Sequence, residues 1–167
     1  VQVLDLGKEQ GGLTPEKQGG GKQTRSLRLE DKNGKDYVMR ALKKNATRFL
    51  QSAFRDQNAV VGFQDTYAEK FIYDFYTTGH PYTPFIIGKL ADKIGIFHSN
   101  PNLYFIPKQS RLGKYNEAFG DKLYLVEERQ TDEHLDLESF GKPQAILGTD
   151  EVLVNIRKDE KYQVDEK

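Results

Sequence analysis

The first residues able to do chemistry are the glycine run and its polar continuation, Gly19-Gly20-Gly21-Lys22-Gln23-Thr24. Three residues without a Cβ leave the backbone free to turn successive N–H groups toward an anion such as a phosphate. The run is not a Walker A loop: the spacing from glycine to Lys-Ser/Thr is wrong, and a strand rather than a helix follows. Further on, Val38-Met39-Arg40-Ala41-Leu42-Lys43-Lys44 places Arg40 where a strand-borne cation would contact a nucleotide's phosphates. Glu69, on the helix that follows, is the natural carboxylate partner for Arg40. Together Gly19, Gly20, Gly21, Lys22, Gln23, Thr24, Arg40 and Glu69 make a candidate phosphate or nucleotide site. The same residues also fit a plain flexible loop, with Arg40 on the solvent side of its strand and Glu69 on a solvated helix face.

Other chemistry is excluded or weakly marked. With no cysteine, the chain has no disulfide scaffold, no thiol nucleophile and no Cys-ligated zinc. His80 and His98 sit beside turn signals, in Gly79-His80-Pro81-Tyr82 and His98-Ser99-Asn100-Pro101, and read as loop-packing residues. His134 lies among Asp132, Glu133, Asp136 and Glu138, a knot without the glycine and ligand spacing of a calcium loop, so an exposed acidic loop is expected. Spacing supports neither a Ser/His/Asp set nor a nucleophile elbow, and no catalytic or metal residues are assigned.

Twenty-five basic and 25 acidic side chains cancel over 167 residues, which argues against a nucleic-acid binder. The zero hides a gradient: residues 1–48 carry a net +5 and residues 121–167 a net −6. A basic start suits an anionic ligand there, and it equally suits a solvated surface with uneven tails. The length fits one domain, no apolar run is long enough to span a membrane, and both ends read as cuts from a longer protein.

The elements that must position these residues follow from periodicity. Val1 to Leu6 alternates as a short strand, and Gly7 to Lys22 reads as a flexible glycine-rich segment, leaving residues 23–167 as a single domain. Thr24–Glu30 and Asp36–Leu42 alternate as strands about Asn33-Gly34, a hairpin signal in which both turn positions want positive φ. Asp65–Tyr76 has helical spacing, with Ala68, Phe71, Ile72 and Phe75 on one face. A second helix starts at Pro84, carries Phe85, Ile86, Leu90, Ala91 and Ile94 on a broad apolar face, and ends near Gly95. Strands over Leu103–Ile106 and Lys122–Glu127 follow, then a last helix capped by Thr149. This order predicts an α+β domain, a mainly antiparallel sheet with helices packed on one face.

Several runs together are similar to a module of large bacterial surface proteins. They are Gly11-Gly12-Leu13-Thr14-Pro15, Gly19-Gly20-Gly21, Gln23-Thr24-Arg25-Ser26-Leu27-Arg28-Leu29, Tyr37-Val38-Met39-Arg40, His80-Pro81-Tyr82, His98-Ser99-Asn100-Pro101 and Leu123-Tyr124-Leu125-Val126-Glu127-Glu128-Arg129. In those proteins a calcineurin-like metallophosphoesterase domain precedes the module, and an outer-membrane barrel often follows. The resemblance implies a cell-envelope location, neighbouring domains of the parent chain as partners, and a parent that is a metal-dependent phosphoesterase. The Asp, His and Asn ligand clusters of that enzyme match no positions here, so hydrolase activity is not carried over. The module also resembles the small lobe of kinase-like folds. That implies a glycine-rich loop at Gly19 to Thr24, Arg40 as the phosphate-pairing cation, Glu69 as its partner, and a hinge at Glu127 to Arg129. ATP with magnesium would then be the ligand of a half-site that binds without transferring a phosphoryl group. Two alternatives stay open: a phosphoesterase or kinase-type enzyme in its own right, and an interaction or spacer domain.

Overall fold

The computed structural model describes residues 1–20, 24–44, 66–67, 70–71, 74–75, 80, 82–131, 135–136 and 138–164. Its centre is a six-stranded sheet of β1 (Gln2–Val3), β2 (Leu13–Gly19), β3 (Ser26–Asp31), β4 (Asp36–Ala41), β5 (Asn102–Ile106) and β6 (Lys122–Glu128). The spatial order is β1-β5-β6-β4-β3-β2. Every pairing is antiparallel except β1 with β5. Among the described residues the helices with defined bounds are α1 (Thr83–Ile94), the single turn α2 (Asn116–Phe119) and α3 (Thr149–Lys158), so the fold is α+β. No helix among the described residues is long and apolar enough to cross a membrane.

Alternation sets which face of the sheet is core. Leu27, Met39 and Val126 stand opposite one another across β3, β4 and β6, and all are buried. On the same face Leu29 meets Tyr37, and Tyr124 packs against Phe119 from α2. Leu4, Leu6, Leu13 and Leu112 complete this cluster. Gln109 anchors the N-terminal segment there: its amide oxygen accepts the Leu6 N–H at 2.8 Å and its amide nitrogen donates to the Leu4 carbonyl at 3.1 Å. The opposite face of the sheet carries Ser26, Arg28, Val38, Arg40, Leu125 and Glu127, the residues that matter for a ligand.

The β3–β4 hairpin closes differently from the sequence expectation. Lys32, Asn33 and Gly34 form a three-residue loop closed by the Asp31 N–H on the Lys35 carbonyl at 3.0 Å. Only Gly34, at φ +79°, takes the left-handed position, and Asn33 does not. The Asp31 carboxylate does the remaining work, accepting the backbone N–H groups of Asn33 and Lys35 at 2.8 Å each. Burial alone would raise the Asp31 carboxyl, but these backbone hydrogen bonds outweigh it and hold it below its ordinary value. Asp31→Ala is therefore expected to cost about 1–3 kcal/mol at neutral pH. The depressed group contributes above the ordinary aspartate range and loses its contribution as pH falls through the lowered value. Urea melts of both proteins at pH 7 and pH 3 should show the gap between them closing in acid.

Three other expectations change. The glycine-rich stretch 7–22 is not simply flexible, because β2 runs through residues 13–19 as the partner of β3 and absorbs a bulge between Pro15 and Gln18. On α1 the inward residues are the small ones, Gly88 and Ala91, while Ile86, Leu90 and Ile94 are 57%, 60% and 66% exposed. At Gly88 the helix comes close to His98, whose ring would lie 3.1 Å from a Cβ there. At α3 the capping position is Gly148, and Thr149 is already the first helical residue, with no side-chain cap. Asp150 and Glu151 at its start and Arg157 and Lys158 at its end still match the helix dipole. Of the helix expected over 65–76, Thr66 is a bend, the described residues Tyr67, Lys70, Phe71, Asp74 and Phe75 are helical, and the rest lie outside the described residues.

Candidate functional site

Gly19 and Gly20 sit at the connected end of the β2–β3 hairpin, where Gly19 pairs with Ser26. Gly20 has φ +83°, and a Cβ there would lie 2.0 Å from the Thr24 carbonyl oxygen and 2.8 Å from the Ser26 nitrogen. No side chain fits, so the hairpin closes on bare backbone. Gly21, Lys22 and Gln23, between them, lie outside the described residues, and so does Glu69.

Register then joins the hairpin to Arg40. Gly19 pairs with Ser26, Ser26 with Arg40, and Arg40 with Leu125. Residues directly opposite in antiparallel strands share a face, so these four make one row across the sheet. A Cβ on Gly19 would come 2.9 Å from the Ser26 hydroxyl oxygen, so the glycine keeps that hydroxyl's side of the row clear. Gly19, Ser26 and Arg40 thus occupy successive positions on the face away from the core.

Arg40 is held from the next strand. Its Nε donates to Glu127 Oε1 at 2.9 Å, a diagonal contact from β4 to β6. The arginine side chain is 52% exposed, so the pair contributes little stability, about 0–1 kcal/mol. Its consequence is geometric: Nε is engaged, and the planar fork of terminal nitrogens is presented in a fixed orientation. Glu127 is held in turn by the Ser99 hydroxyl, which donates to Oε2 at 2.7 Å.

The end of β6 is pinned at three successive residues. Glu127 meets Arg40, Glu128 pairs with Lys35, and Arg129 lies 3.6 Å from Asp36. The hydrogen bond from Lys35 to Glu128 outweighs burial and keeps the ammonium above its ordinary pKa. Beside this strand end is a cavity of about 420 Å³, lined by Arg40, His98, Ser99, Glu127, Arg129 and Phe140 among others. Arg40 therefore belongs both to the row beneath the glycine hairpin and to this cavity. A second cavity of about 650 Å³ lies along β2–β4, where Glu16 faces Glu30. A hydrogen bond between those two carboxyls holds Glu16 above its ordinary pKa.

His98 is more than loop packing. Its ring is 14% exposed and rests against Gly88 of α1, where a Cβ would come 3.1 Å from the ring carbon Cε1. Nδ1 lies 2.9 Å from the Ser99 carbonyl and Nε2 lies 2.9 Å from Asp92 Oδ1. Both neighbours are acceptors, so only the doubly protonated ring satisfies both. The Ser99 carbonyl first and Asp92 second raise the His98 pKa.

Sequence reasoning brought together the glycine run and Arg40, and the register places Gly19 and Arg40 in one row. It missed Glu127 as the partner of Arg40, separated from it by 87 residues, and the part played by Ser99. Alternation in β4 and β6 puts both charges on one face once the strands are paired, but the pairing itself has no sequence marker. Among the described residues no group of three or more His, Cys, Asp or Glu side chains could hold a metal ion. Compared with family models, curated proteins and solved structures, the chain matches none, and the site rests on its own geometry.

Proposed function

We propose that this chain is a non-catalytic module of a multidomain, metallophosphoesterase-associated bacterial envelope protein, and that it binds a phosphate-bearing ligand, with a magnesium–nucleotide complex the first choice. The observation that carries the ligand is the row Gly19–Ser26–Arg40 beneath a hairpin end in which Gly20 admits no side chain. An oxyanion seated beside Arg40 would meet the terminal fork of an arginine, donors suited to phosphate, with Ser26 at the next position of the row. The cavity beside Arg40 and Glu127 gives the rest of a nucleotide room to lie against Phe140. The envelope setting rests on the sequence resemblance alone.

Calorimetric titration with ATP and magnesium tests the ligand. Arg40→Ala is expected to weaken binding about tenfold or more, and Arg40→Lys to recover part of the loss, because a point charge cannot reproduce the fork. No heat at millimolar ATP would favour a second reading, an interaction module. That reading has its own observation in the outward Ile86, Leu90 and Ile94 of α1 and Val152, Leu153 and Val154 of α3.

A further inference from the structure

We infer that His98 and Ser99 are positioning residues for Arg40, acting through Glu127, so that protonation of the His98 imidazole sets how well the phosphate site is formed. The inference rests on the proposal that Arg40 is the phosphate-binding cation. It goes beyond that proposal by giving the site a control.

The connection is a continuous run of polar contacts. Asp92 Oδ1 to His98 Nε2 is 2.9 Å, His98 Nδ1 to the Ser99 carbonyl is 2.9 Å, Ser99 Oγ to Glu127 Oε2 is 2.7 Å, and Glu127 Oε1 to Arg40 Nε is 2.9 Å. It starts on α1, passes through the segment leading into β5, and ends on the ligand face of β4. With the ring doubly protonated, every contact has a donor and an acceptor. When one proton leaves, a ring nitrogen's lone pair faces an acceptor. Facing the Asp92 carboxylate would be worse than facing a neutral carbonyl, so the proton on Nδ1 is the one released. The Ser99 carbonyl then loses its donor, the Ser99 peptide is no longer held, and its hydroxyl loses its fixed aim at Glu127. Glu127 in turn stops fixing the guanidinium.

Loss of the His98 charge acts in the same direction, since it removes a cation beside an anion site. Other charged and titratable groups facing His98 across its two cavities are Arg40 on β4, Glu127, Glu128 and Arg129 on and after β6, and Glu9, Tyr37 and Tyr104 on the far side. Of these groups His98 is the one whose charge normally changes between pH 5 and 8. The sign follows: a raised histidine pKa keeps the relay complete at low pH and breaks it as pH rises through that pKa. Ligand affinity should therefore fall on the alkaline side.

The test uses the whole chain and two variants, His98→Gln and Ser99→Ala, each checked for an unchanged urea midpoint on the alkaline side of the observed His98 titration, where the relay is open. NMR follows the His98 ring nitrogens, the Arg40 Nε–H and the Glu127 carboxylate carbon from pH 6 to pH 9. In the parent the Arg40 and Glu127 signals should move with the His98 midpoint. Ser99→Ala should flatten both while His98 still titrates, a result that a purely structural histidine would not give. ATP–magnesium affinity should drop about three- to tenfold across the same midpoint, beyond any change seen in His98→Gln. Arg40 and Glu127 signals that ignore the His98 titration would overturn the relay. Signals that follow His98 in a protein that binds no ATP at any pH would leave the relay standing and sink the nucleotide reading instead.

Discussion

Truncating Phe119 to alanine is expected to lower the free energy of unfolding by about 3–5 kcal/mol. The residue is fully buried at the end of α2, a helix of one turn whose hold on the sheet depends on side chains rather than on its own length. Its ring stacks on Tyr124 with centroids 6.1 Å apart and meets Tyr115 edge-on at 6.0 Å. Its carbonyl accepts the Tyr124 hydroxyl at 2.8 Å. Removing the ring opens a void between a strand and a helical turn that cannot collapse together without disturbing that hydrogen bond. Since whole domains are stable by only about 5–15 kcal/mol, the loss should be visible as a large fall in the urea midpoint with little change in slope. Tyr124→Phe separates the two contributions: it keeps the ring stack and deletes the hydrogen bond, for about 1 kcal/mol. The phenol also gives a pH signature, because burial pushes the Tyr124 pKa up to about 12. The unfolded chain ionises near 10, so the tyrosine's contribution is full below that value and is lost as pH rises toward 12. In Tyr124→Phe that alkaline loss should shrink.

How much of this was legible in the sequence depends on the range of the contacts involved. β3 and β4 were read within two residues at either end because Leu27, Leu29, Tyr37 and Met39 alternate around a glycine turn, a local pattern with a local cause. β5 and β6 were read as well, and so was α1 from its proline start and glycine stop. β2 was not, since Thr14-Pro15-Glu16-Lys17-Gln18 lacks apolar alternation. It is a strand because β3 offers it a ladder and a bulge absorbs the mismatch. The inward face of α1 was misread for a related reason: helical spacing identifies an apolar stripe but not which side meets the rest of the chain. Gly88 faces His98, whose ring would lie 3.1 Å from a Cβ there, and Ala91 is buried beside it on the helix. The site divides along the same line. Glycines that free the backbone announce themselves by type, and Arg40 by its place on a strand. Glu127 and Ser99 join through a sheet order that places β6 beside β4 and β5 outside it, which no local spacing encodes.

Replacing Gly20 by valine should have the largest effect on the ligand face. Two independent costs fall on one residue. The backbone sits at φ +83°, a region that a β-branched side chain rarely adopts, at about 1–3 kcal/mol. The Cβ would also be 2.0 Å from a backbone oxygen, and the Thr24 carbonyl is not a flexible tip that can swing aside. Relief requires the hairpin end to open, which unpairs Gly19 from Ser26 and removes the first member of the row leading to Arg40. The combined cost is about 3 kcal/mol in stability. The core lies on the other face and toward α2, so the damage should stay local. Amide hydrogen exchange should speed up at the β2–β3 end by far more than in β4 and β6, while the Tyr124 hydrogen bond persists. If Gly19–Ser26–Arg40 is the phosphate seat, ATP binding should be lost in Gly20→Val even at temperatures where the protein remains folded. Gly34→Val is the control, because it places the same strained side chain at φ +79° in the hairpin turn at the opposite end of β3. That variant should lose about 1–3 kcal/mol from backbone strain alone, since a Cβ there meets only Glu30 Oε1 at 3.6 Å, and keep its ligand. Equal loss of binding in both would mean that general loosening of the sheet, and not the bare backbone at Gly20, governs the site.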